Sequence, residues 1–328
     1  MRRLSAIAAF LAALICALAA QSQSPDPLPS WNDGASKKAI VEFVQATTTK
    51  GGPGYVEPAD RIATFDNDGT LWAEQPLYFQ ILFMVDQLKA AAPRHPEWNG
   101  NPAFKALAAH DEKALAGMQK ELLQLLAVAN SGMTVAEYDQ SIRDWLAATK
   151  HPKFNRPYTD LVYQPMQELL AYLRANGYKT FIVSGGSIEF MRPWAEKAYG
   201  IPPEQVVGTI SETKFEMRDG KPVLVRGPKI VFVDDGAGKP EGIYRAIGHR
   251  PAAAFGNSDG DLQMLQFTAA GDGRRLMLIV HHDDAAREFA YDRASKVGRL
   301  DKAWDEAQAK GWVVVSMKDD WKKVFAFQ

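Results

Sequence analysis

The sequence has almost no cysteine, since Cys16 is the only one in 328 residues. This residue lies in an apolar leader that we expect to be removed, so disulfides, reactive thiols and cysteine-ligated metals are excluded from the remaining chain. An excess of one charge is also lacking, because 38 basic and 39 acidic side chains give a formal net charge of −1. This balance argues against a broad nucleic-acid or membrane-binding surface. The sequence also shows no internal repeat or low-complexity tract.

The N-terminus has the pattern of a secretory signal peptide over residues 1–20. Arg2 and Arg3 precede an apolar stretch that ends in small residues. The alternative is an uncleaved membrane anchor, but the stretch is slightly short for a span. Cleavage removes two positive charges, which takes the net charge from −1 to −3. We therefore expect a periplasmic or secreted protein that does not contact the membrane after cleavage.

The first part of the mature chain changes character twice. Residues 21–60 read as a linker followed by a short helix over 37–45, and residues 61–66 predict a strand. Between 77 and 158, apolar residues recur at helical spacing, and Thr134 with Glu137 predicts a capping box. We expect an all-helical insertion with a small core of its own. To the stripes and core of this insertion we assign Leu115, Met118, Leu122, Leu125, Tyr138, Ile142, Trp98, Trp145 and Phe154.

Helix and strand signals alternate from residue 159 onward. Pro165 opens a helix, a strand follows over 178–183, and Asp219-Gly220 predicts a hairpin turn. Further strands are predicted over 230–233, 252–255, 276–280 and 312–315, with helices starting at Lys239 and over 261–267. This alternation predicts an α/β fold with a doubly wound, mainly parallel sheet. Its core comprises residues 61–76 and 159–328, with the helical insertion between them.

Polar clusters are predicted at the edge of this sheet where ligands bind, beyond the carboxyl ends of the strands. Each has an ordinary explanation of its own, such as a strand-end turn, a helix cap or a solvated lysine. Their joint order along the chain is harder to explain by chance. The four clusters are Asp66-Asn67-Asp68-Gly69-Thr70, Ser184-Gly185-Gly186, Lys239, and Gly256-Asn257-Ser258-Asp259-Gly260-Asp261.

In these clusters the chain resembles the haloacid dehalogenase superfamily, in its phosphatase branch. Phe65 to Leu71 resembles the first family motif, Val183 to Gly186 the second, Lys239 the third, and Gly256 to Met264 the fourth. The segment from Val207 to the Asp219-Gly220 hairpin is similar to phosphoserine phosphatases. With its leader, the whole chain is also similar to secreted bacterial non-specific acid phosphatases. The resemblance implies a Rossmann-like core with a helical cap and a small phosphomonoester as substrate.

The resemblance also implies roles for individual residues. Asp66 would attack phosphorus to give an aspartyl-phosphate. Asp68 would protonate the leaving alcohol and then accept a proton from the hydrolytic water. Halide-displacing members generally lack the second carboxylate, so Asp68 favours a phosphatase. The phosphoryl oxygens would be held by Thr70, Ser184, Gly185 and Lys239.

Several carboxylates facing an anionic ester imply a hard cation, and oxygen ligands indicate Mg²⁺. Asp66 and the backbone carbonyl of Asp68 would supply two ligands. The family usually has aspartate where this chain has Asn257, whose amide oxygen brings no charge. We therefore expect Asp261 or Asp259 to carry more of the metal site.

Other features have weaker claims. Glu74 lies one position away from an acidic residue that reads the substrate amino group in phosphoserine phosphatases. The sequence His281-His282-Asp283-Asp284 could bind a metal, although a strand end before an Asp-capped helix is simpler. Trp72, Tyr78 and Phe79 could line the pocket or belong to the core. Two other functions stay open: a phosphotransferase with the same intermediate, and a non-enzymatic phosphate- or metal-binding protein.

Overall fold

A central mixed sheet organises the computed structural model, which describes residues 26–109, 121, 125 and 128–328. The predicted signal peptide and three members of the helical stripe, Leu115, Met118 and Leu122, lie outside these residues. The eight strands of the sheet are β1 (Ile62–Phe65), β2 (Lys179–Ser187), β3 (Val206–Arg218), β4 (Lys221–Phe232), β5 (Ala253–Gly256), β6 (Leu276–Asp283), β7 (Ala290–Tyr291) and β8 (Val313–Ser316).

The strand order places β1 at the centre of the parallel part. The sheet runs β4-β3-β2-β1-β5-β6-β7, and β8 pairs with β6. Strands β3, β2, β1, β5, β6 and β8 are parallel, whereas β4 and β7 are antiparallel to their neighbours. This confirms the predicted mainly parallel α/β sheet. The carboxyl ends of β1, β2 and β5 consequently meet at one edge.

One predicted strand is the end of a longer one. Residues 230–232 are extended as predicted, but they belong to β4, whose Phe232 pairs with Ile210 of β3. The turn at Asp219-Gly220, where both residues have positive φ values of 50° and 74°, sends the chain back along β3 for almost its full length. The predicted turn was therefore correct, but the hairpin is longer than the sequence pattern indicates.

Helices cover both faces of the sheet. They are α1 (Ala35–Thr48), α2 (Phe79–Ala91), α3 (Pro102–Ala108), α4 (Val135–Ala148), α5 (Gln164–Ala175), α6 (Ile188–Tyr199), α7 (Gly238–Ala246), α8 (Leu262–Ala269), α9 (Lys302–Lys310) and α10 (Met317–Asp320). Side chains of β1 alternate between two apolar clusters: Ala63 and Phe65 pack with α1, α5 and α6, whereas Ile62 packs with α7, α8 and α9. No helix in the described residues is both long and apolar enough to cross a membrane.

The insertion does not keep all its apolar residues in a separate core. Trp98 lies in a small cluster with Leu88 and Leu125, as predicted. Trp145 instead belongs to the main cluster, and Phe154 packs against it. The reason is that α4 contacts α6 of the core. The capping box of α4 is confirmed, with Thr134 and Glu137 bonded reciprocally.

Candidate active site

Asp66 is held at the centre of the sheet edge by the backbone and by Lys239. Its amide donates to the carbonyl of Phe255 at 2.9 Å, which fixes the end of β1 against β5. The ammonium group of Lys239 lies 2.8 Å from Asp66 Oδ1. No described residue donates a hydrogen bond to Asp66 Oδ2, and Asp66 lines a cavity at this edge. That oxygen is consequently the one available to a ligand.

The turn after Asp66 requires glycine at position 69. Gly69 has φ +72°, and a Cβ atom there would lie 2.0 Å from Asn257 Nδ2. The turn brings Asp68 back toward the same cavity, where its Oδ1 accepts from Trp72 Nε1 at 2.6 Å. Asn67, between the two aspartates, is buried and accepts from the hydroxyl of Tyr199 at 3.0 Å. The two carboxylates are therefore set by different partners on the same loop.

Ser184 and Gly185 reach the cavity from β2. Ser184 is 1% exposed, and its hydroxyl accepts from the amide of Gly186 at 3.2 Å. The carbonyl of Gly185 accepts from Thr209, which fixes the bulged end of β2 against β3. The helix cap that we considered for Ser184 is supplied by Ser187 instead. Ser184 and Gly185 therefore do not cap the helix. They line the same cavity as Asp66, Asp68 and Lys239.

Thr70 does not take the predicted place beside a phosphate. It is fully buried, it is not among the residues that line the cavity, and its hydroxyl donates to Asn257 Oδ1 at 3.1 Å. The turn at Gly69 points this side chain down into the protein. The structure therefore contradicts a direct phosphate contact and makes Thr70 a support for Asn257.

The fourth motif uses its two aspartates to hold the backbone and Lys239, and not as free ligands. Asp261 is fully buried: Oδ1 accepts from Lys239 Nζ at 2.6 Å, and Oδ2 accepts from the amides of Asn257 and Ser258. Asp259 Oδ1 accepts from the amides of Asp301 and Ala303 at the start of α9. These contacts do not support Asp261 or Asp259 as the additional metal ligand.

The cavity has a volume of about 330 Å³ and extends from the sheet edge to the insertion and the β3–β4 hairpin. Arg226 of β4 is 7% exposed on its wall, and its guanidinium lies 3.7 Å from the ring centroid of Tyr138 in α4. Tyr78 also lines the cavity, whereas Trp72 and Phe79 are fully buried core residues. Of the three aromatic residues, Tyr78 therefore lines the cavity, and Trp72 and Phe79 belong to the core.

Sequence reasoning missed Asp235 and Arg226. Asp235 lines the cavity, and a Cβ atom on Gly260 would lie 2.7 Å from its Oδ1. The available signal was a carboxylate pair, Asp234-Asp235, at the end of a predicted strand and just before Lys239. Arg226 gave no local signal, because its position depends on the length of the hairpin.

The side chains of the histidine cluster are engaged in other contacts. Among the described residues, no group of three or more histidine, cysteine, aspartate or glutamate side chains is arranged to hold a metal ion. His282 is buried, with Nε2 2.7 Å from the carbonyl of Gly69 and its ring stacked on Tyr291. Asp284 accepts from the amides of Ala286 and Arg287 in a turn, where we had expected a helix. His282 thus supports the loop that carries Asp66 and Asp68.

A model of one protein family matches most of this architecture. It is described as haloacid dehalogenase-like hydrolase and matches residues 63–266, from β1 to α8. The chain belongs to the haloacid dehalogenase-like hydrolases. This match confirms the family that the motifs resemble. It also confirms that the chain is a hydrolase. The comparison with curated proteins gives no match.

Solved structures show distant likeness to this member of the haloacid dehalogenase-like hydrolases. A protein with unknown function from Bordetella pertussis Tohama I is 15% identical, with a TM-score of 0.48, over 78% of this chain and 97% of that one. A phosphoserine phosphohydrolase-like protein from Francisella tularensis subsp. tularensis SCHU S4 is 21% identical, with a TM-score of 0.36, over 67% and 87%. Cytosolic 5′-nucleotidase IIIB, bound to cytidine, is 16% identical, with a TM-score of 0.45, over 87% and 86%. At this distance none of them carries an argument about activity.

Electrostatics at the site of this haloacid dehalogenase-like hydrolase are dominated by buried carboxylates. Burial, followed by the negative charge of Asp261, raises the pKa of Asp66 against the opposing effect of Lys239. Burial raises the pKa of Asp68 to about 6, although the hydrogen bond from Trp72 lowers it. Burial also raises the pKa of Glu74 well above its usual range. The ionised forms of these three carboxylates therefore have too little positive charge nearby to stabilise them.

This donor set fits a hard divalent cation. Asp66, Asp68 and Asp235 line one cavity with oxygen donors, which suits Mg²⁺, whereas Asn257, the predicted third ligand, does not line it and its Oδ1 accepts from Thr70. Asp66 and Asp261 share the single charge of Lys239, so an additional cation would stabilise the ionised carboxylates. Burial alone would lower the pKa of Lys239, but these two carboxylates outweigh it and raise that pKa.

Proposed function

We propose that the protein is a Mg²⁺-dependent phosphatase that hydrolyses small phosphomonoesters through an aspartyl-phosphate on Asp66. The observation that carries this proposal is the arrangement of Asp66. Lys239 holds one carboxylate oxygen, the other has no described hydrogen-bond donor, and Asp68 lines the same cavity two residues later. A cavity of about 330 Å³ is at the small end of ligand sites, which favours small esters.

In the first step, Asp66 attacks phosphorus and the bond from phosphorus to the ester oxygen breaks. Asp68, protonated, gives its proton to the departing alcohol. Burial raises the pKa of Asp68 and so favours this protonated form, whereas the charge of Lys239 opposes the corresponding rise at Asp66. Lys239 offsets negative charge beside the nucleophile, and Ser184 with the amides near Gly185 faces the phosphoryl oxygens.

In the second step, Asp68 takes a proton from water, which attacks phosphorus and releases inorganic phosphate from Asp66. A bound Mg²⁺, held by Asp66, the Asp68 carbonyl and Asp235, would neutralise charge on the phosphoryl group. The same intermediate could pass to an alcohol, so a phosphotransferase is the other outcome of the test.

The test is hydrolysis of 4-nitrophenyl phosphate, with Mg²⁺ or with a chelator, by the wild type and Asp66→Asn. We expect loss of at least 1,000-fold in kcat for Asp66→Asn, as is usual for a nucleophile that acts as part of a unit (about 10³ or more). A ³²P-labelled substrate should leave an acid-stable, hydroxylamine-sensitive label on the wild type only. Equal turnover by both proteins refutes the nucleophile, and label transfer to added glycerol identifies a transferase.

We also propose a periplasmic or secreted location, from the leader over residues 1–20. Fractionation of cells that express the full chain tests it, with N-terminal sequencing of the product. A mature protein starting near residue 21 outside the cytoplasm is expected, whereas an intact N-terminus in the cytoplasm refutes the proposal.

A further inference from the structure

The β3–β4 hairpin carries exposed apolar side chains that the proposed reaction does not use. Phe215 is 67% exposed, Met217 60% and Leu224 52%. Phe215 is paired with Leu224, and Met217 is paired with Pro222. Directly paired residues of antiparallel strands lie on the same face of the sheet. These four residues therefore form one patch, which we call the apolar strip.

The outer half of the hairpin has one apolar and one polar face. On β3, Lys214, Glu216 and Arg218 alternate with the residues of the apolar strip and so lie on the opposite face. In an antiparallel sheet the apolar face usually packs on the core and the polar face meets water. Here the large side chains of the apolar face are more than half exposed, which is typical of a binding surface.

The apolar strip continues one wall of the cavity at the candidate active site. Thr209 and Ser211 line this cavity and precede Phe215 at every second position of β3. On β4, Arg226 lines the cavity and lies two residues from Leu224. Residues two apart on a strand share a face. The same face of the hairpin thus lines the cavity at its base and carries the apolar strip further out.

The path from the cavity to the apolar strip is open and partly apolar. Ile230, which is paired with Ser211, lines the cavity and is 39% exposed. The guanidinium of Arg226 lies 3.7 Å from the ring centroid of Tyr138, so its charged end is turned toward the insertion. Phe215 follows Ser211 by four residues, which is about 13 Å along the strand. A chain that starts at phosphorus can leave the cavity past Ile230 and lie on the apolar strip.

The size of the apolar strip favours a substrate chain over a second copy of the protein. A stable dimer interface takes about 20–30 residues from each partner, whereas the apolar strip has four. An alkyl chain needs only a narrow run of apolar contacts, and its binding strengthens with each methylene group that is removed from water.

We propose that the substrate is a phosphomonoester whose alcohol carries a long apolar chain, and that the apolar strip binds this chain while Asp66 faces phosphorus. This inference rests on the proposed function and extends it. Only the atoms next to phosphorus have to fit the cavity of about 330 Å³, because the chain beyond them lies on the hairpin. Long-chain alkyl phosphates are the simplest members of this class.

The test is calorimetric titration of the protein in Mg²⁺ with hexylphosphonate and tetradecylphosphonate, both below their micelle concentrations. Their bond from phosphorus to carbon is not an ester bond, so binding is measured without hydrolysis. We expect the longer compound to bind about tenfold or more tightly, a difference of about 1.4 kcal/mol that burial of about two methylene groups supplies. In the double variant Phe215→Ser with Leu224→Ser the ratio should fall below about threefold.

Tyr244→Ser is the matched control, since Tyr244 is 75% exposed and lies on α7, outside the hairpin. This variant should keep the wild-type ratio, and sedimentation should show a wild-type monomer. The inference is overturned if chain length does not change the wild-type affinity, if the double variant keeps the ratio, if Tyr244→Ser loses it, or if the wild type is a dimer that the double variant dissociates. Hydrolysis of 4-nitrophenyl phosphate without a gain from chain length would refute only this inference. A gain from chain length in a protein that hydrolyses no ester would refute only the proposed function.

Discussion

Lys239 Nζ lies 2.8 Å from Asp66 Oδ1, so the candidate nucleophile is buried against a cation. Lys239 lies in the first turn of α7, whereas Asp66 follows β1, and the same ammonium group also reaches Asp261 at 2.6 Å. This one side chain joins the first, third and fourth motifs. The fold at this edge therefore depends on the charge of Lys239.

Lys239→Met should destabilise the protein and abolish its activity, because two buried carboxylates lose their common partner. We expect a loss of about 3–5 kcal/mol in the free energy of unfolding at pH 8. Without Lys239 the folded-state pKa of Asp66 rises further above its usual range, so stability is lost as the pH rises toward it. The loss should therefore be smaller at pH 5.

Urea unfolding at the two pH values measures this effect. Lys310→Met is the control, because Lys310 is exposed at the end of α9 and should change stability by less than about 0.5 kcal/mol. A loss that is the same at pH 5 and pH 8 would contradict the electrostatic explanation.

Motif order was sufficient to predict Asp66, Ser184 and Lys239 at one edge, because parallel strands bring their carboxyl ends together whatever lies between them. The roles of Asp259 and Thr70 could not be obtained in this way. The partners of Asp259 are amides of Asp301 and Ala303, whose approach depends on how the C-terminal part packs. Sequence patterns identify local geometry, but they do not say which side chains are already used by distant backbone.

The same limit applied to the fold. The helix pattern in the insertion was correct, but the sequence did not show that Trp145 packs on the main core and Trp98 does not. An apolar stripe indicates that a helix face is buried and leaves open what covers it. Likewise, the turn at Asp219-Gly220 could be predicted from the sequence. The length of the hairpin could not, because it depends on pairing between β3 and β4.

Asp68→Asn should separate the two proton transfers. The variant cannot protonate a poor leaving group, so hydrolysis of an alkyl phosphate should fall about 100-fold or more. A 2,4-dinitrophenyl ester needs no acid, so its first step should persist. Rapid-mixing measurements should then show a burst of dinitrophenol close to one per site, followed by slow turnover, because the base for the second step is missing. Absence of both the burst and the selectivity would refute this role of Asp68.

Trp72→Phe should move the pH dependence of catalysis. The indole donates to Asp68 Oδ1 at 2.6 Å and so favours the ionised carboxylate. Removing this donor raises the pKa of Asp68 above about 6. Asp68 acts as an acid in the first step, so the fall in kcat/KM with rising pH should shift upward by about one unit, the value of one hydrogen bond of about 1.4 kcal/mol.

Profiles of kcat/KM from pH 4 to pH 9 check this shift. Trp194→Phe is the matched control, because Trp194 stacks on Trp72 with a centroid distance of 4.2 Å and has no hydrogen bond from its indole nitrogen among the described residues. Its profile should keep the wild-type midpoint. A Trp72→Phe profile with the same midpoint would show that Asp68 is not the group that titrates.

Arg226→Gln should weaken substrate binding more than it slows turnover. Arg226 and Lys239 are the two cationic side chains that line the cavity in the described part of the chain, and Nε and Nη1 of Arg226 have no hydrogen-bond partner there. Removing this charge should raise KM for 4-nitrophenyl phosphate about five- to tenfold, the effect of about 1 kcal/mol. Arg245→Gln is the control, since Arg245 stacks on Phe232 of the same hairpin but does not line the cavity. If both variants raise KM equally, the effect comes from the general positive charge around the hairpin, whereas a change in Arg226→Gln alone locates substrate binding beside Tyr138.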